Sequence, residues 1–236
     1  NKLRRKIMKI LALGAHPDDI EIFMLGLLLC FKSRGDEIYM AIATDGAAGN
    51  ILGYSDLARI RKEETKKALN FLGDPYFFNF PDGELSFIQD VKNKIKEHIV
   101  SLSPDLIITH APEDYHPDHR TLSNLVKDAA GFTSPIIYAD TLMGVNFVPD
   151  YFVDITSFIK KKTEAILKHK SQDPKKFVEA TKLLNRFRSA QCNAPIGNYA
   201  EAYRQEKTFP FSDIRDLLPP SPCINQFYKP LSKSMI

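Results

Sequence analysis

The most constraining feature of the 236-residue sequence is the segment from residue 7 to residue 21. It opens with an apolar run, Ile7 to Leu13, which is typical of a strand buried on both faces of a sheet. A helix is predicted directly afterwards, because a proline favours its first turn. His16 and Asp19 are spaced i, i+3 on this turn, so an imidazole and a carboxylate can converge. Such a pair is half of a metal site, and Asp18 between them can face whatever the metal holds.

The same arrangement occurs a second time between residues 110 and 119. A short apolar strand, Asp105 to Thr109, leads into a second His-Pro-Asp sequence, and a helical stretch follows. His116 and His119 are again spaced i, i+3, and three of the six histidines of the chain lie in this segment. Packing alone does not explain such clustering. We interpret His110 as a strand-end residue near the site and not as a ligand.

The alternation of strands and helices predicts an α/β fold, a Rossmann-like, doubly wound and mostly parallel sheet with helices on both faces. In a strand order of 3-2-1-4-5, strands 1 and 4 are neighbours at the topological switch point, where ligands bind beyond the carboxyl ends. The two histidine motifs follow these two strands and would therefore meet. We expect a single domain over residues 1–236, with a core at 8–205 that includes a C-terminal α/β extension and an irregular tail at 206–236.

Periodicity and capping signals predict six helices after the first strand. They cover Ile20–Lys32, Leu57–Leu72 with Ser55 as its cap, Ser86–Ser101, residues 117–130, Thr156–Lys168 and Pro174–Cys192. A strand is predicted at Tyr151–Ile155. The basic run Lys160–Lys162 is more typical of a solvent-exposed helix face than of a site for polyanions.

Composition excludes several functional classes. Hydrophobic residues make up 44% and charged residues 26%, which is ordinary for a globular protein, and the net charge of +3 is too small to indicate nucleic-acid binding. The three cysteines form no CxxC pair, which predicts reduced thiols and a cytoplasmic protein. The apolar run at residues 10–15 is too short for a signal peptide, and the one at 22–31 is too short for a transmembrane segment.

The two motifs, Ala15-His-Pro-Asp-Asp-Ile-Glu21 and His116-Pro-Asp-His119, resemble the signature motifs of the LmbE-like or PIG-L family of zinc-dependent N-acetylglucosaminyl deacetylases. Other family landmarks follow in the same order. They are Thr44-Asp45-Gly46, Arg61 with Glu64, Pro81-Asp82-Gly83, Val153-Asp154-Ile155, Ser171-Gln172 and Tyr199-Ala200-Glu201-Ala202. Each motif is short, but as an ordered set they are specific, and the resemblance spans residues 8–205.

The resemblance implies that His16, Asp19 and His119 bind zinc, that Asp18 is the general base and that His116 polarises the substrate carbonyl. This chemistry suits amide hydrolysis, because zinc with three protein ligands lowers the pKa of water to about 7. Asp18 could take the proton of that water and pass it to the leaving amine. The donor set also accepts iron(II).

The expected surroundings of the site rest on resemblance and on position. The resemblance implies that Arg61 and Asp82 contact the sugar. Asp45 follows strand 2 at the same edge of the sheet, so we expect it to line the pocket and to bind substrate. Asp114 lies two residues before His116, and we expect it to orient the imidazole of that residue from behind.

The implied substrate is a small N-acetylated amino sugar whose aglycone the sequence does not reveal. Because relatives often assemble, a homo-oligomer is consistent with the resemblance.

Two alternative functions stay open. A nucleotide-binding or oxidoreductase module fits the alternating pattern, but the first loop lacks G-x-G-x-x-G and has carboxylates where a pyrophosphate would lie. A metal-dependent phosphoesterase also uses His and Asp, although three ligands to one metal suit amide hydrolysis better than a two-metal clamp.

Overall fold

The computed structural model describes residues 6–50 and 52–225. Within them, seven strands form one sheet: β1 Lys9–Gly14, β2 Glu37–Thr44, β3 Tyr76–Phe80, β4 Leu106–Thr109, β5 Ile136–Ala139, β6 Tyr151–Asp154 and β7 Ala200–Gln205. Seven α-helices accompany them in the same part of the chain: α1 Asp19–Phe23, α2 Leu25–Ser33, α3 Leu57–Leu69, α4 Val91–Leu102, α5 Pro117–Ala130, α6 Ile159–Ile166 and α7 Pro174–Gln191.

The strand order is β3-β2-β1-β4-β5-β7-β6. The first five strands are parallel, which confirms the predicted order 3-2-1-4-5 and the mostly parallel α/β class. Strand β7 is antiparallel to both β5 and β6 and attaches the C-terminal part of the chain to this sheet. The single domain over 1–236 and its division at residue 205 stay predictions.

Strand β1 explains why the sheet has helices on both sides. Its side chains are buried from Ile10 onward and alternate between two hydrophobic cores. Ile10 and Ala12 belong to the core that packs against α2, whereas Leu11 and Leu13 belong to the core that packs against α4 and α5. A central parallel strand must bury both faces in this way, which is why it reads as a continuous apolar run.

The first predicted helix, Ile20–Lys32, is wrong as a single element, since the structure contains two helices that separate at Met24. The backbone N–H groups of Gly26 and Leu27, in the first turn of α2, donate to the carboxylate of Glu201 at 2.8 and 2.7 Å. Glu201 therefore caps this helix although it lies 174 residues after Leu27 in the chain. A helix N-terminus has unpaired donors and a positive dipole end, so a carboxylate stabilises it.

The surroundings of Glu201 correct a second expectation. Lys162 belongs to the basic run predicted to face solvent, but its side chain is fully buried and its ammonium pairs with Glu201. Tyr203 also donates its hydroxyl to this carboxylate at 2.7 Å. The approach is so close that a Cβ at Gly26 would lie 2.6 Å from a methyl carbon of Ile155 and 2.7 Å from Glu201 Oε1. Only glycine fits there.

Several predicted helix ends differ from the observed ones. Asp56, not Ser55, caps α3, because its side chain accepts the backbone N–H of Arg59 at 3.3 Å. Helix α3 ends at Leu69 and not at Leu72. The other predicted ranges agree more closely at α5 and α7, and α6 is shorter because residues 156–158 form a separate 3₁₀ turn.

Helix α4 begins at Val91 and not at the predicted Ser86. The residue before it, Asp90, has φ of 77°, a left-handed conformation that interrupts a right-handed helix.

In the described ranges 6–50 and 52–225, no helix combines the length and apolarity that crossing a membrane requires.

Candidate active site

Three ligand-type atoms form a nearly equilateral triangle beyond the carboxyl ends of β1 and β4. His16 Nδ1 lies 3.3 Å from both Asp19 Oδ2 and His119 Nε2, and the latter two atoms are also 3.3 Å apart. A tetrahedral metal with bonds of about 2.0–2.1 Å keeps its ligand atoms about 3.3–3.4 Å apart. Two imidazole nitrogens and a carboxylate oxygen at this spacing fit a single divalent metal with an open coordination position.

Other candidate ligand atoms lie within 4.8 Å of one another in overlapping groups: His16 with His116 and His119, Asp19 with His110 and His119, and His16 with Asp82 and Asp118. Their existing hydrogen bonds make His110 and His116 less suited to bind a metal than the three residues of the triangle. His110 Nε2 lies 3.1 Å from the backbone nitrogen of Ala15 and 3.0 Å from Asp19 Oδ2, so both neighbours engage this atom inside the protein. His116 Nδ1 accepts the N–H of Asp118 at 3.2 Å, which makes Nε2 the protonated nitrogen of its neutral ring.

Carboxylates stand behind both candidate histidine ligands. The second ring nitrogen of His16, Nε2, lies 3.0 Å from Asp82 Oδ1 and 3.4 Å from Asp118 Oδ2. His119 Nδ1 lies 3.2 Å from Asp114 Oδ2. Metal-ligating histidines generally direct their other nitrogen at such a partner, which sets the tautomer and orients the ring.

The prediction that Asp114 orients the imidazole of His116 is therefore wrong. Its Oδ2 faces His119, whereas its Oδ1 accepts the backbone N–H of His116 at 2.9 Å and does not touch that imidazole. Sequence reasoning also missed Asp118, which repeats the Pro-Asp of the first motif and accepts the backbone N–H of Gly83 at 2.8 Å. The repeated motif itself was the signal that could have identified it.

The buried carboxylates in and around the triangle stabilise positive charge on the neighbouring imidazoles. Burial alone would raise the pKa of Asp19, but the imidazole of His119 holds it well below its usual range. Burial lowers the pKa of His119, yet the carboxylates of Asp19 and Asp114 outweigh it and raise that pKa to about 9. For His110, burial and the neighbouring His119 lower the pKa to about 4, which keeps this ring neutral. The carboxylates thus favour positive charge among these imidazoles, and a bound metal ion could supply that charge in place of protons.

Asp18 has an unusual backbone conformation. Its φ of 131° is one that residues with side chains rarely adopt, and such strain is typical of functional positions. Its Oδ2 lies 3.1 Å from Nη2 of Arg61, which is also buried. Burial raises the pKa of Asp18, and the guanidinium of Arg61 offsets this only in part, so the net pKa lies above its ordinary value.

The guanidinium of Arg61 is held by the backbone on both sides. Nη1 donates to the carbonyl of Gly46 at 2.9 Å, and Nη2 donates to the carbonyl of Pro17 at 2.7 Å. Gly46 has φ of 69°, and a Cβ there would lie 2.8 Å from Nη1, so the turn needs glycine. In this arrangement Arg61 positions Asp18, and its predicted contact with the sugar stays a prediction.

His116 lies at the N-terminus of α5, with its ring 4.6 Å from the ring of His16 and 4.7 Å from that of His119. Burial, reinforced by these two histidines, lowers the pKa of His116. The neutral ring accepts a hydrogen bond at Nδ1, so Nε2–H is a hydrogen-bond donor beside the metal-binding group.

These residues line a cavity of about 410 Å³, a volume typical of small-molecule sites. Its polar wall contains His16, Asp18, Asp19, Arg61, Asp82, His116 and His119, and its apolar wall contains Ile22, Phe23, Leu142 and Phe177. Asp45 is not part of this wall, which corrects its predicted position. Its carboxylate instead accepts two backbone N–H groups, that of Ala47 in its own loop at 2.9 Å and that of Asp82 in the loop after β3 at 3.3 Å.

Two other landmarks meet beside the cavity. Ser171 donates its hydroxyl to Glu64 Oε2 at 2.7 Å and its backbone N–H to Oε1 at 3.1 Å. The neighbouring Gln172 donates to the carbonyl of Gly49 at 3.3 Å and lines the cavity. These contacts connect α3 to the segment before α7 and close one side of the site.

The fold and the site together define an α/β protein with a His/Asp metal-binding group at its topological switch point. The family model described as PIG-L, GlcNAc-PI de-N-acetylase, matches residues 11–130, just over half of the chain. The protein belongs to the PIG-L family.

Individual relatives extend this result. The chain is 29% identical over 190 residues to a diacetylchitobiose deacetylase from Thermococcus kodakarensis, covering 71% of each chain. The structure resembles an N,N'-diacetylchitobiose deacetylase from Pyrococcus horikoshii, with a TM-score of 0.75, 25% identity and 89% of each chain covered. It also shares its fold with GalB, a 4-carboxy-2-hydroxymuconate hydratase from Pseudomonas putida KT2440, with a TM-score of 0.74, 20% identity and coverage of 88% of this chain and 100% of that chain.

Proposed function

We propose that this protein is a zinc-dependent hydrolase that removes the N-acetyl group from a small molecule containing N-acetylglucosamine. The observation that carries the proposal is the triangle of His16 Nδ1, Asp19 Oδ2 and His119 Nε2, with all sides of 3.3 Å, formed by three residues that line the cavity. Membership of the PIG-L family and the similarity to named deacetylases support the substrate class.

In this proposal the three residues of the triangle hold one metal ion per chain. When bound, such a metal lowers the pKa of a water molecule to about 7 and polarises a carbonyl oxygen. Asp82 and Asp114 keep the two histidine rings oriented toward the metal through their second nitrogens, at 3.0 and 3.2 Å. A mutation of such a supporting carboxylate typically costs about 10–100-fold in metal affinity.

Asp18 is the general base. Its raised pKa makes it a better proton acceptor than an exposed aspartate, and Arg61 keeps its carboxylate aimed into the cavity. It takes a proton from the attacking water and later gives a proton to the leaving amine, so the carboxylate returns to its starting state. The strained backbone at this residue is consistent with a position imposed by function.

His116 donates from Nε2 to the oxygen that becomes negative when the amide carbonyl is attacked. A neutral, pre-oriented donor stabilises this charge without having to reorganise during the reaction. Burial is the main cause of the lowered pKa of His116. This lowered pKa keeps the ring in the neutral form that can act in this way at neutral pH.

Metal analysis combined with an acetate-release assay tests the proposal. Purified protein should contain one equivalent of metal, release acetate from N,N'-diacetylchitobiose or a related N-acetylglucosaminide, and lose activity on chelation. Activity should return with added zinc, and parallel additions of iron(II) identify the preferred metal. The matched control is His119→Ala, which removes one ligand. Protein that holds no metal at this site and releases no acetate from any such sugar would refute the proposal.

Because the same fold includes a hydratase, the fold alone does not determine the reaction. The assay therefore measures acetate and free amine together. Equal amounts of the two products establish hydrolysis of the amide, which neither addition of water to a double bond nor cleavage of a phosphoester produces.

A further inference from the structure

The carbonyl carbon of an N-acetyl group has three substituents, and the polar residues of the site account for only two of them. In the proposed reaction the oxygen lies beside Nε2 of His116, and the nitrogen faces Asp18, which returns a proton to it. The third substituent is a methyl group, which gains free energy by leaving water. The cavity must therefore offer this methyl group an apolar surface close to the histidines.

The apolar lining of the cavity comes from two separate parts of the fold. Ile22 and Phe23 belong to α1, the helix that also carries Asp19. Leu142 follows β5, and Phe177 lies in α7. The contacts that each part makes with the histidines of the site decide which of them an acyl group meets.

Phe23 lies directly against these histidines. Its ring centroid is 5.9 Å from that of His119 and 5.7 Å from that of His110, and the rings are nearly perpendicular in both pairs. Phe23 follows Asp19 by four residues, which is one helical turn, so the two side chains lie on the same face of α1. The phenyl ring is thus next to residues that supply two corners of the triangle. The ring of Phe177 lies instead near the ammonium group of Lys176, at 5.6 Å.

The ring of Phe23 is held in place by its surroundings. It is only 7% exposed, and it belongs to the hydrophobic core that packs against α2. It is also the last residue of α1, directly before the break at Met24. A side chain packed at the density of a protein interior does not yield readily to a larger neighbour. Phe23 therefore limits the length of any group that lies in front of it.

We propose that Phe23 forms the end wall of an acyl subsite and restricts the enzyme to the two-carbon acetyl group. This inference rests on the proposed function and adds a specificity-determining residue to it. The apolar surface of Leu142 and Phe177 then faces the rest of the substrate. One methylene group more or less in a hydrophobic pocket typically changes kcat/KM by roughly 10–200-fold, so a single added carbon should be detected.

The test uses one amino sugar with acyl groups of increasing length, namely N-acetyl-, N-propionyl- and N-butyryl-glucosamine, and measures release of the free amine. In the zinc-loaded wild-type protein, kcat/KM should fall by roughly 10–200-fold with the first added methylene group. Titration calorimetry with acetate, propionate and butyrate gives a second measurement that needs no turnover. The affinity for these product acids should decrease in the same order.

The decisive variant is Phe23→Ala, which removes the wall and should make the propionyl and butyryl sugars at least as good substrates as the acetyl sugar. Because Phe23 also packs in the core, Phe23→Leu is made in parallel, and it should shift the preference in the same direction by a smaller factor. Metal content is measured for both variants, since the ring contacts His119. The matched control is Phe177→Ala, which makes the same substitution in the other apolar part of the lining and should keep the preference for acetyl.

Three results would overturn the inference. Equal kcat/KM for the acetyl and butyryl sugars in the wild-type protein would show that the site sets no length limit. Metal-loaded Phe23 variants with an unchanged preference for acetyl would show that another residue forms the wall. A preference lost in Phe177→Ala alone would put the acyl group against α7.

Failure of the proposed function gives a different result. In that case no sugar of the series releases its amine, whatever its acyl group. The calorimetric order of the three acids, compared between the wild-type protein and the Phe23 variants, then still decides whether Phe23 limits the length of a bound acyl group.

Discussion

Nη2 of Arg61 lies 3.1 Å from Oδ2 of Asp18, and the same guanidinium donates to the carbonyls of Pro17 and Gly46. The loop after β1, the loop after β2 and helix α3 are thereby joined through one buried side chain. Asp18 is the residue that this arrangement holds in a strained conformation, with φ of 131°. The orientation of the proposed base is therefore set by α3, which lies far from it in sequence.

Replacing Asp18 by asparagine should keep the metal and remove most of the turnover. An amide side chain has nearly the same shape but cannot accept a proton, and general acid–base catalysis typically contributes roughly 10²–10⁴-fold. We expect a decrease in kcat of that size with one equivalent of metal still bound. Metal content and kcat are measured on the same sample, and near-normal turnover with full metal would show that Asp18 is not the base.

Replacing Arg61 by lysine separates two roles. One ammonium cannot donate to both carbonyls and also hold Asp18, so the carboxylate should move, and a displacement of about 1 Å can cost about 10²-fold in rate. If Arg61 positions Asp18, kcat decreases while KM changes little. If Arg61 mainly binds the sugar, as the family resemblance implies, KM increases instead. Unfolding by urea checks that the variant still folds.

His119 and His116 should differ although they lie on one helical turn. His119→Ala removes an atom of the 3.3 Å triangle, so metal affinity should fall. His116→Ala should keep the metal and lower kcat by roughly 10²–10³-fold, the usual cost of one oxyanion donor. Metal content by mass spectrometry is measured beside kcat. Loss of metal in His116→Ala would instead make that residue a ligand.

The central sheet and the two histidine motifs could be predicted because their signals are local. Buried parallel strands are continuous apolar runs, and the i, i+3 spacing of His16 with Asp19 is visible within four residues. The rule that parallel strands direct ligands to their carboxyl ends then brought the two motifs together. That inference needed only the strand order, which the structure confirms.

The contacts between loops could not be predicted in the same way. The imidazole that Asp114 faces is that of His119 and not that of His116, and Asp45 accepts backbone N–H groups of its own loop and of the loop after β3. Each side chain follows a backbone conformation that no periodicity encodes. The break after α1 was equally hidden, since the carboxylate that caps the following helix belongs to Glu201, a residue of the last strand. Lys162 is buried and its ammonium pairs with the carboxylate of Glu201. The basic run to which it belongs had instead predicted a solvent-exposed helix face.

Gly26 should tolerate no side chain. In Gly26→Ala the new Cβ would lie within 2.8 Å of both Ile155 and Glu201, and the carboxylate that caps α2 would have to move. Overpacking of this kind typically costs about 1–3 kcal/mol in the free energy of unfolding. Urea titration monitored by circular dichroism measures the change. The control is Gly35→Ala, at a glycine where a Cβ meets nothing within 4 Å but where φ of 86° imposes backbone strain alone.

The buried pair of His169 and Glu21 should make stability depend on pH. His169 Nε2 lies 2.7 Å from Glu21 Oε1, and both side chains are buried. Burial lowers the pKa of His169, but the carboxylate of Glu21 outweighs it, so the folded pKa lies above the ordinary value of 6.5. A folded pKa above the unfolded one means that the folded state binds the proton more tightly. The resulting stabilisation is complete below pH 6.5 and is lost as the pH rises through the folded pKa.

The comparison of His169→Gln with the wild type isolates this contribution. Removing one partner of a buried ion pair typically costs roughly 3–5 kcal/mol, and we expect a loss of that order at pH 6. The difference in the free energy of unfolding between the two proteins should decrease steadily toward alkaline pH, because the wild-type histidine then becomes neutral as well. Urea unfolding of both proteins at pH 6, 7, 8 and 9 measures the trend. A difference that stays constant over this range, or that grows with pH, would show that His169 is neutral in the folded protein.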